Sequence, residues 1–218
     1  MKKEKVKKVI ILGGGGHARS LKEALDICGQ FNIIGFTDLK PVDIKGLIYL
    51  GNDSAIKGYS PQEIFLVNGI GSVTQPYKRR KIYDKFKSQG YNFLSVIHPK
   101  AIVSLESQLS EGVEVMAGVV INTGVVLGEN VIINTSAVID HDCRIGAHTH
   151  ISPGVTLSGG VRIGDCSHIG SGATVIQGVN IGDEVIVGAG GVVVNDIPSK
   201  VTVVGIPAKI YKKKLKKT

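Results

Sequence analysis

Ile133-Asn134-Thr135-Ser136-Ala137-Val138-Ile139-Asp140-His141-Asp142-Cys143-Arg144-Ile145 places an isoleucine at every sixth residue. The same step continues in both directions. From Ile97 to Val193 every sixth residue, seventeen in all, is Ile, Leu or Val. A second column lies four residues further on and runs from Ser107 to Gly191. It holds small or β-branched residues such as Val113, Ala137, Cys143, Thr149 and Ala173. Gly, Asn and Asp recur between the columns, as in Gly128-Glu129-Asn130 and Gly164-Asp165. Each hexad therefore reads as a short strand with two inward positions and a turn. Repeats of this period coil into a parallel β-helix, three hexads to a turn of 18 residues, about five turns over this stretch.

Composition agrees with a coil of small aliphatics. Gly accounts for 29 of 218 residues, Trp is absent and aromatics are 5%. An apolar content of 43% excludes a mainly disordered chain. The net charge of +8 suggests nucleic acid until it is located. Residues 2–8 hold five Lys and residues 209–217 hold six, whereas residues 9–208 sum to −2. The basicity belongs to solvated ends, and no nucleic-acid partner is expected. Cys28, Cys143 and Cys166 form no disulfide framework, which fits a reducing, cytoplasmic setting. No apolar run approaches ~18 residues, so no membrane-spanning segment is expected.

The first 95 residues follow another rule. Val6–Leu12 reads as a buried strand, and Gly13-Gly14-Gly15-Gly16 as a tight turn. A helix is predicted from His17 to about Cys28, with strands at 32–37 and 63–67. A polar-faced helix is predicted over 73–89. This order gives a small Rossmann-like parallel sheet, hence an α/β domain. Gly13-x-Gly15-x-x-Ala18 fits a dinucleotide fingerprint, in which Gly15 and Gly16 let a phosphate approach the helix N-terminus. Asp38 lies where such a domain would hold a ribose. The expected organisation is a nucleotide-sugar domain over 1–95, a β-helix over 96–210 and a basic tail over 211–218.

Together, Gly13-Gly14-Gly15-Gly16-His17-Ala18, Gly35-Phe36-Thr37-Asp38, Tyr49-Leu50-Gly51-Asn52-Asp53, His98-Pro99 and the hexads resemble one group. These are the bacterial hexapeptide-repeat acetyltransferases that N-acetylate nucleotide-linked 4-amino sugars, with their sialic acid O-acetyltransferase relatives. The resemblance implies a left-handed β-helix, a homotrimer, and acetyl-CoA bound between subunits. It implies that the first domain holds a nucleotide-linked amino sugar. Members using uridine diphosphate sugars often carry two adjacent acids where this chain has Thr37-Asp38. The base is therefore left open among uracil, thymine and guanine.

Acetyl transfer to an amine needs a base, an oxyanion donor and close positioning. His141, flanked by Asp140 and Asp142, has its imidazolium stabilised by acids. By resemblance His141 is the catalytic base and Asp142 the acid beside it. Gly159 lies 18 residues beyond His141 and stacks on the same edge, where a bare backbone N–H can meet the thioester oxygen. The resemblance assigns His150 to the acetyl or pantetheine region, Asn134 to the sugar, and His17 to the sugar or phosphates. It extends to the closing segment with Ile206, Pro207 and Ala208, expected on the cofactor side. Cys143 falls in the inward column and reads as core, not as a nucleophile.

Three other readings stay open. A trimeric zinc hydratase would use His141, His148, His150 and His168, but the His-x4-His pair of that family is missing, and no metal is expected. Transfer to a hydroxyl of sialic acid keeps the chemistry and changes the acceptor. A non-enzymatic trimeric sugar-binding protein would break the base motif, and His141 is present.

Overall fold

Val9, Ile10, Ile11 and Leu12 are fully buried, which a strand achieves only when covered on both faces. They form β1 (Lys7–Leu12), the centre of a parallel sheet. Around it lie β2 (Phe31–Thr37), β3 (Ile64–Asn68) and β4 (Asn92–Phe93), in the order β2-β1-β3-β4. Alternation sends Val9 and Ile11 toward α1 (Gly16–Cys28), whose Ala18, Leu21, Ala24 and Leu25 are buried. Ile10 and Leu12 face the other way, onto Tyr83 and Phe86 of α2 (Pro76–Lys87). The computed structural model describes residues 7–71 and 76–211. Residues 2–6 of the expected lysine-rich start, 73–75 of the predicted second helix and 212–218 of the expected tail over 211–218 lie outside the described residues.

The second helix keeps its expected polar face, with Lys78, Arg80, Lys81, Asp84 and Lys85 exposed, and buries the other. Arg79, Tyr83 and Phe86 share one stripe and are all buried. An arginine in that stripe makes the segment read as solvated until its partners are known.

The chain leaves the first sheet at Phe93 and enters the coil at Val96–Ile97, which pairs with Glu114–Val115. From there two-residue strands pair in parallel at a constant offset. Val126–Leu127 meets Gln108–Leu109 on one side and Arg144–Ile145 on the other. Val138–Ile139 meets Val120–Ile121 and Thr156–Leu157. The result is a three-sided prism whose flat faces are sheets of five, eight and six strands. Both inward columns fill a single apolar core, from Val113 to Val203. Ile97 departs from the column, being 42% exposed. Among the described residues no coil stacks beneath the first one, so its inner side chain stays partly open.

From Gly112 onward each corner turn up to Gly190 uses one left-handed residue. Positive φ recurs every sixth residue from Gly112 to Gly190. Most of these positions are glycine, but Asp142 (φ 59°) and His148 (φ 60°) hold the same conformation with full side chains. Beyond the last coil, Thr202–Val204 joins the eight-stranded face, and Lys209–Ile210 folds back antiparallel to it. The Ile206–Pro207 bond between them is cis.

Candidate active site

His141 sits in the corner turn between the six- and five-stranded faces, and its side chain is about half exposed. The left-handed turn at Asp142 swings that carboxylate beside the ring, and Oδ2 lies 2.9 Å from His141 Nδ1. Asp140 holds the turn itself: its Oδ1 accepts from the His141 N–H and from Asn122, both at 2.8 Å. These hydrogen bonds hold the Asp140 carboxyl below its ordinary range, the His141 N–H foremost. The bond from Asp142, then the charge of Asp140, push His141 above its ordinary pKa.

Two glycines make room for the pair. A Cβ on Gly159, one coil above, would lie 2.5 Å from His141 Nε2 and Cε1. A Cβ on Gly124, one coil below, would lie 2.5 Å from Asp142 Oδ1. The bare Gly159 backbone therefore faces the imidazole edge opposite Asp142. Among the described residues its N–H has no hydrogen-bond partner, while its carbonyl accepts from Gly178. Cys143, next in sequence, turns inward and bonds Ser158 O, and burial pushes its thiol up to about 11.

His150 occupies a different part of the prism. It stands on the outer side of the eight-stranded face, yet is buried because the first domain covers that face. Its Nε2 lies 3.2 Å from the Asn134 amide, and its ring meets His168 edge-on at 4.9 Å. Burial, reinforced by the charges of His168, His17 and Arg79, drives its pKa well below the ordinary value. His150 is therefore a neutral polar group at neutral pH. The same motif repeats one coil later, where Ser152 Oγ meets His168 Nε2 at 3.2 Å.

The glycine turn opens α1 beside this covered face. A Cβ on Gly15 would touch nothing within 4 Å, and one on Gly16 would meet only the Arg19 guanidinium at 3.7 Å. Gly14 is tighter, since a Cβ there would collide with Val42, and its N–H donates to Asp38 Oδ2 at 2.6 Å. Asp38 thus braces the loop backbone from below. Thr37 gives its hydroxyl to Asp53 at 3.0 Å, which accounts for an alcohol beside Asp38 in this chain.

His17 points from the same turn to a residue that the pattern of the hexads does not announce. Its Nε2 is 2.7 Å from Glu114 Oε2, and Arg79 Nη2 is 3.0 Å from the same oxygen. Arg79 also donates to the carbonyls of Asn68, Ile70 and Asn130. Asn68 donates to Asn130 Oδ1, and Asn130 meets His148. The available signal was an arginine spaced four and seven residues from the apolar Tyr83 and Phe86 of α2.

The structure thus brings together His141, Asp142 and Gly159 on one edge. It brings His17, Asn134 and His150 to the covered face, near Gly15 and Gly16. Ala208 packs on the last coil through its N–H to Val192 O at 2.7 Å, while Ile206 is exposed.

Known proteins share this fold. Residues 8–86 match the PglD N-terminal domain, and residues 124–159 and 142–177 match the six-repeat bacterial transferase hexapeptide model. A histidine-to-asparagine variant of perosamine N-acetyltransferase from Caulobacter crescentus, solved with CoA and GDP-perosamine, is 42% identical with a TM-score of 0.89. The match covers 96% of this chain and 99% of that one. The chain belongs to the hexapeptide-repeat acetyltransferases with a PglD-type N-terminal domain.

The transferase is also 37% identical, with a TM-score of 0.90, to the acetyltransferase domain of PglB from Neisseria gonorrhoeae FA1090, covering 94% of this chain and 100% of that one. UDP-N-acetylbacillosamine N-acetyltransferase of Bacillus subtilis (strain 168) is 35% identical over 118 residues, 51% of this chain. That match spans 52% of the curated relative's length. The family agrees with a left-handed coil, in which the transferase departs from the right-handed rule for parallel crossovers. No helix among the described residues of the transferase is long and apolar enough to cross a membrane.

Proposed function

We propose that this protein transfers an acetyl group from acetyl-CoA to the amine of a nucleotide-linked 4-amino-4,6-dideoxy sugar. The observation that carries the reading is the exposed His141–Asp142 pair facing the bare Gly159 backbone. Asp142 engages Nδ1, so Nε2 carries the lone pair that accepts a proton. The amine nitrogen attacks the thioester carbonyl carbon, and its proton passes to His141 Nε2. The Gly159 N–H steadies the oxygen of the tetrahedral intermediate. The C–S bond then breaks, and the imidazolium returns the proton to the departing thiolate. No covalent enzyme intermediate is needed, in keeping with a Cys143 thiol that is buried and held protonated.

In this reading the glycine turn binds the diphosphate, with Gly15 and Gly16 open to it, and Asp38 keeps that loop in shape. Asn134, His150 and His17 form the polar wall beside the sugar. The Ile206-Pro207-Ala208 segment bounds the acetyl-CoA side of the final coil. GDP-perosamine and CoA, bound by the Caulobacter relative, support a nucleotide-linked amino sugar and acetyl-CoA as the two substrates. Residues 1–95 act as the nucleotide-sugar (acceptor) domain and residues 96–210 as the acetyl-transfer domain.

His141 lies on one edge of the prism and His150 on a face under the first domain, an arrangement that favours a site completed by a second copy. We take the active form to be a homotrimer. Ile102 (69% exposed) on the outer side of the six-stranded face, with Val120 and Val138 above it, offers an apolar surface to a neighbouring copy. Three free thiols support a reducing compartment such as the cytoplasm.

The test is an acetyl-CoA assay on GDP-, UDP- and dTDP-linked 4-amino sugars, with sialic acid alongside. Turnover of an amino sugar that falls about 10²–10⁴-fold in His141→Ala supports the reading. Turnover of sialic acid alone, or a fully active His141→Ala, overturns it.

A further inference from the structure

We infer that Glu114 is a positioning residue for His17, and that it sets which partner His17 can recognise. The inference rests on the proposed reading of the glycine turn as the nucleotide-sugar site.

Glu114 occupies an outward position on its strand, where the repeat normally places a solvated side chain. Its side chain is instead 1% exposed, as is that of Arg79. A buried carboxylate is costly unless its charge is met and its oxygens are bonded. Arg79 meets the charge at 3.0 Å, and His17 supplies a hydrogen bond at 2.7 Å to the same oxygen. Arg79 is itself tied to main-chain carbonyls of the loop after β3 and of the β-helix turn at Asn130. Two segments of the first domain, the glycine turn and α2, therefore converge on one carboxylate of the β-helix, and Arg79 ties that pair to two further turns. A buried pair this constrained costs more than an apolar seam of equal volume would. Its location beside the glycine turn gives it a use.

That use follows from proton bookkeeping. An ionised carboxylate only accepts hydrogen bonds. Glu114 therefore takes the Nε2–H of His17, and in that tautomer Nδ1 is the acceptor. An acceptor at Nδ1 binds a group that donates: a sugar hydroxyl or the sugar amine. It repels a bare phosphate oxygen. Of the two partners that the sequence left open for His17, sugar or phosphates, Glu114 selects the sugar. Arg79 neutralises Glu114 without competing for that face of His17.

Two measurements test this. Histidine ¹⁵N NMR of the full chain near pH 8 reads the tautomer without any ligand. We expect His17 to carry its proton on Nε2 in the wild type, and to lose that preference in the charge-balanced variant Arg79→Met/Glu114→Leu. Calorimetric titration then follows GDP-perosamine and acetyl-CoA binding. Glu114→Gln and the charge-balanced variant should weaken the nucleotide sugar by about 10–100-fold, with acetyl-CoA affinity unchanged. The same changes made in a His17→Ala background should add nothing further. A wild-type His17 protonated on Nδ1 would overturn the inference, as would equal losses with and without His17. Failure of the wild type to bind any nucleotide sugar would count against the function instead, and the NMR result would still decide the Glu114–His17 link.

Discussion

His141 and His150 stand nine residues apart in the same repeat, and their environments push them in opposite directions. His141 lies on an open corner with a carboxylate on either side in sequence, and its pKa rises. His150 lies under the first domain beside another histidine and near an arginine, and its pKa falls well below the ordinary value. The difference teaches that the coil alone assigns no chemistry. It delivers residues to edges and faces at a fixed spacing. Whether a histidine becomes a base or a neutral hydrogen-bonding group depends on what covers that edge or face.

Several substitutions would break or sharpen this contrast. The largest effect belongs to His141→Ala, whose loss of turnover is set out above. Gly159→Ala comes next. Its Cβ would fall 2.5 Å from the His141 ring, so the imidazole must move away from the backbone N–H it faces. Turnover should drop about 100-fold, with nucleotide-sugar affinity unchanged in a binding titration. Unchanged turnover would mean that the ring does not work at this edge.

Asp142→Asn acts on the same histidine through its pKa. Asp142 raises that pKa, so its loss lowers it, and the neutral base persists to lower pH. The acid limb of the kcat/KM profile should shift toward lower pH, with about a tenfold fall at the plateau. A shift toward higher pH would reverse the assigned role of Asp142.

The smallest effect concerns His150 and is read in stability. His148, His150 and His168 all have folded-state values below 6.5, burial being the largest cause for each. The unfolded chain therefore binds more protons than the folded one once the pH drops through about 6.5. Stability is present above that pH and is lost on acidification, by at most about 1.4 kcal/mol per pH unit for each proton. Melting curves between pH 8 and 5 should show Tm falling toward acid. His150→Gln should make that fall shallower. An equally steep fall would place the acid sensitivity elsewhere.

Much of the fold could be read along the chain, because a stacked coil is nearly one-dimensional. A spacing of 18 residues in sequence is also a vertical neighbour in space. For that reason Gly159 could be set against His141 by arithmetic, and the inward place of Cys143 followed from its column. The first domain yielded its order of strands and helices through apolar alternation and the glycine turn. The edges of the pattern were less legible. Ile97 keeps the period but not the burial, since period says nothing about where stacking ends. The second helix read as polar because Arg79 shares a stripe with Tyr83 and Phe86. Asp38 sits at a ribose spacing, yet its carboxylate also braces Gly14, a local bond that spacing does not reveal.

The amino-acid sequence by itself determined the hexad coil, the small parallel domain before it, the glycine turn, and the stacking of His141 with Gly159. Each depends on contacts at a fixed offset along the chain, which a period or a turn motif encodes directly. Only the tertiary structure decided that the first domain covers the face bearing Glu114 and His150. It joined His17 to Glu114 across 97 residues and set Arg79 against the same carboxylate oxygen. Such contacts have no period. They arise because a buried carboxylate must find a cation and a donor wherever the packing brings them.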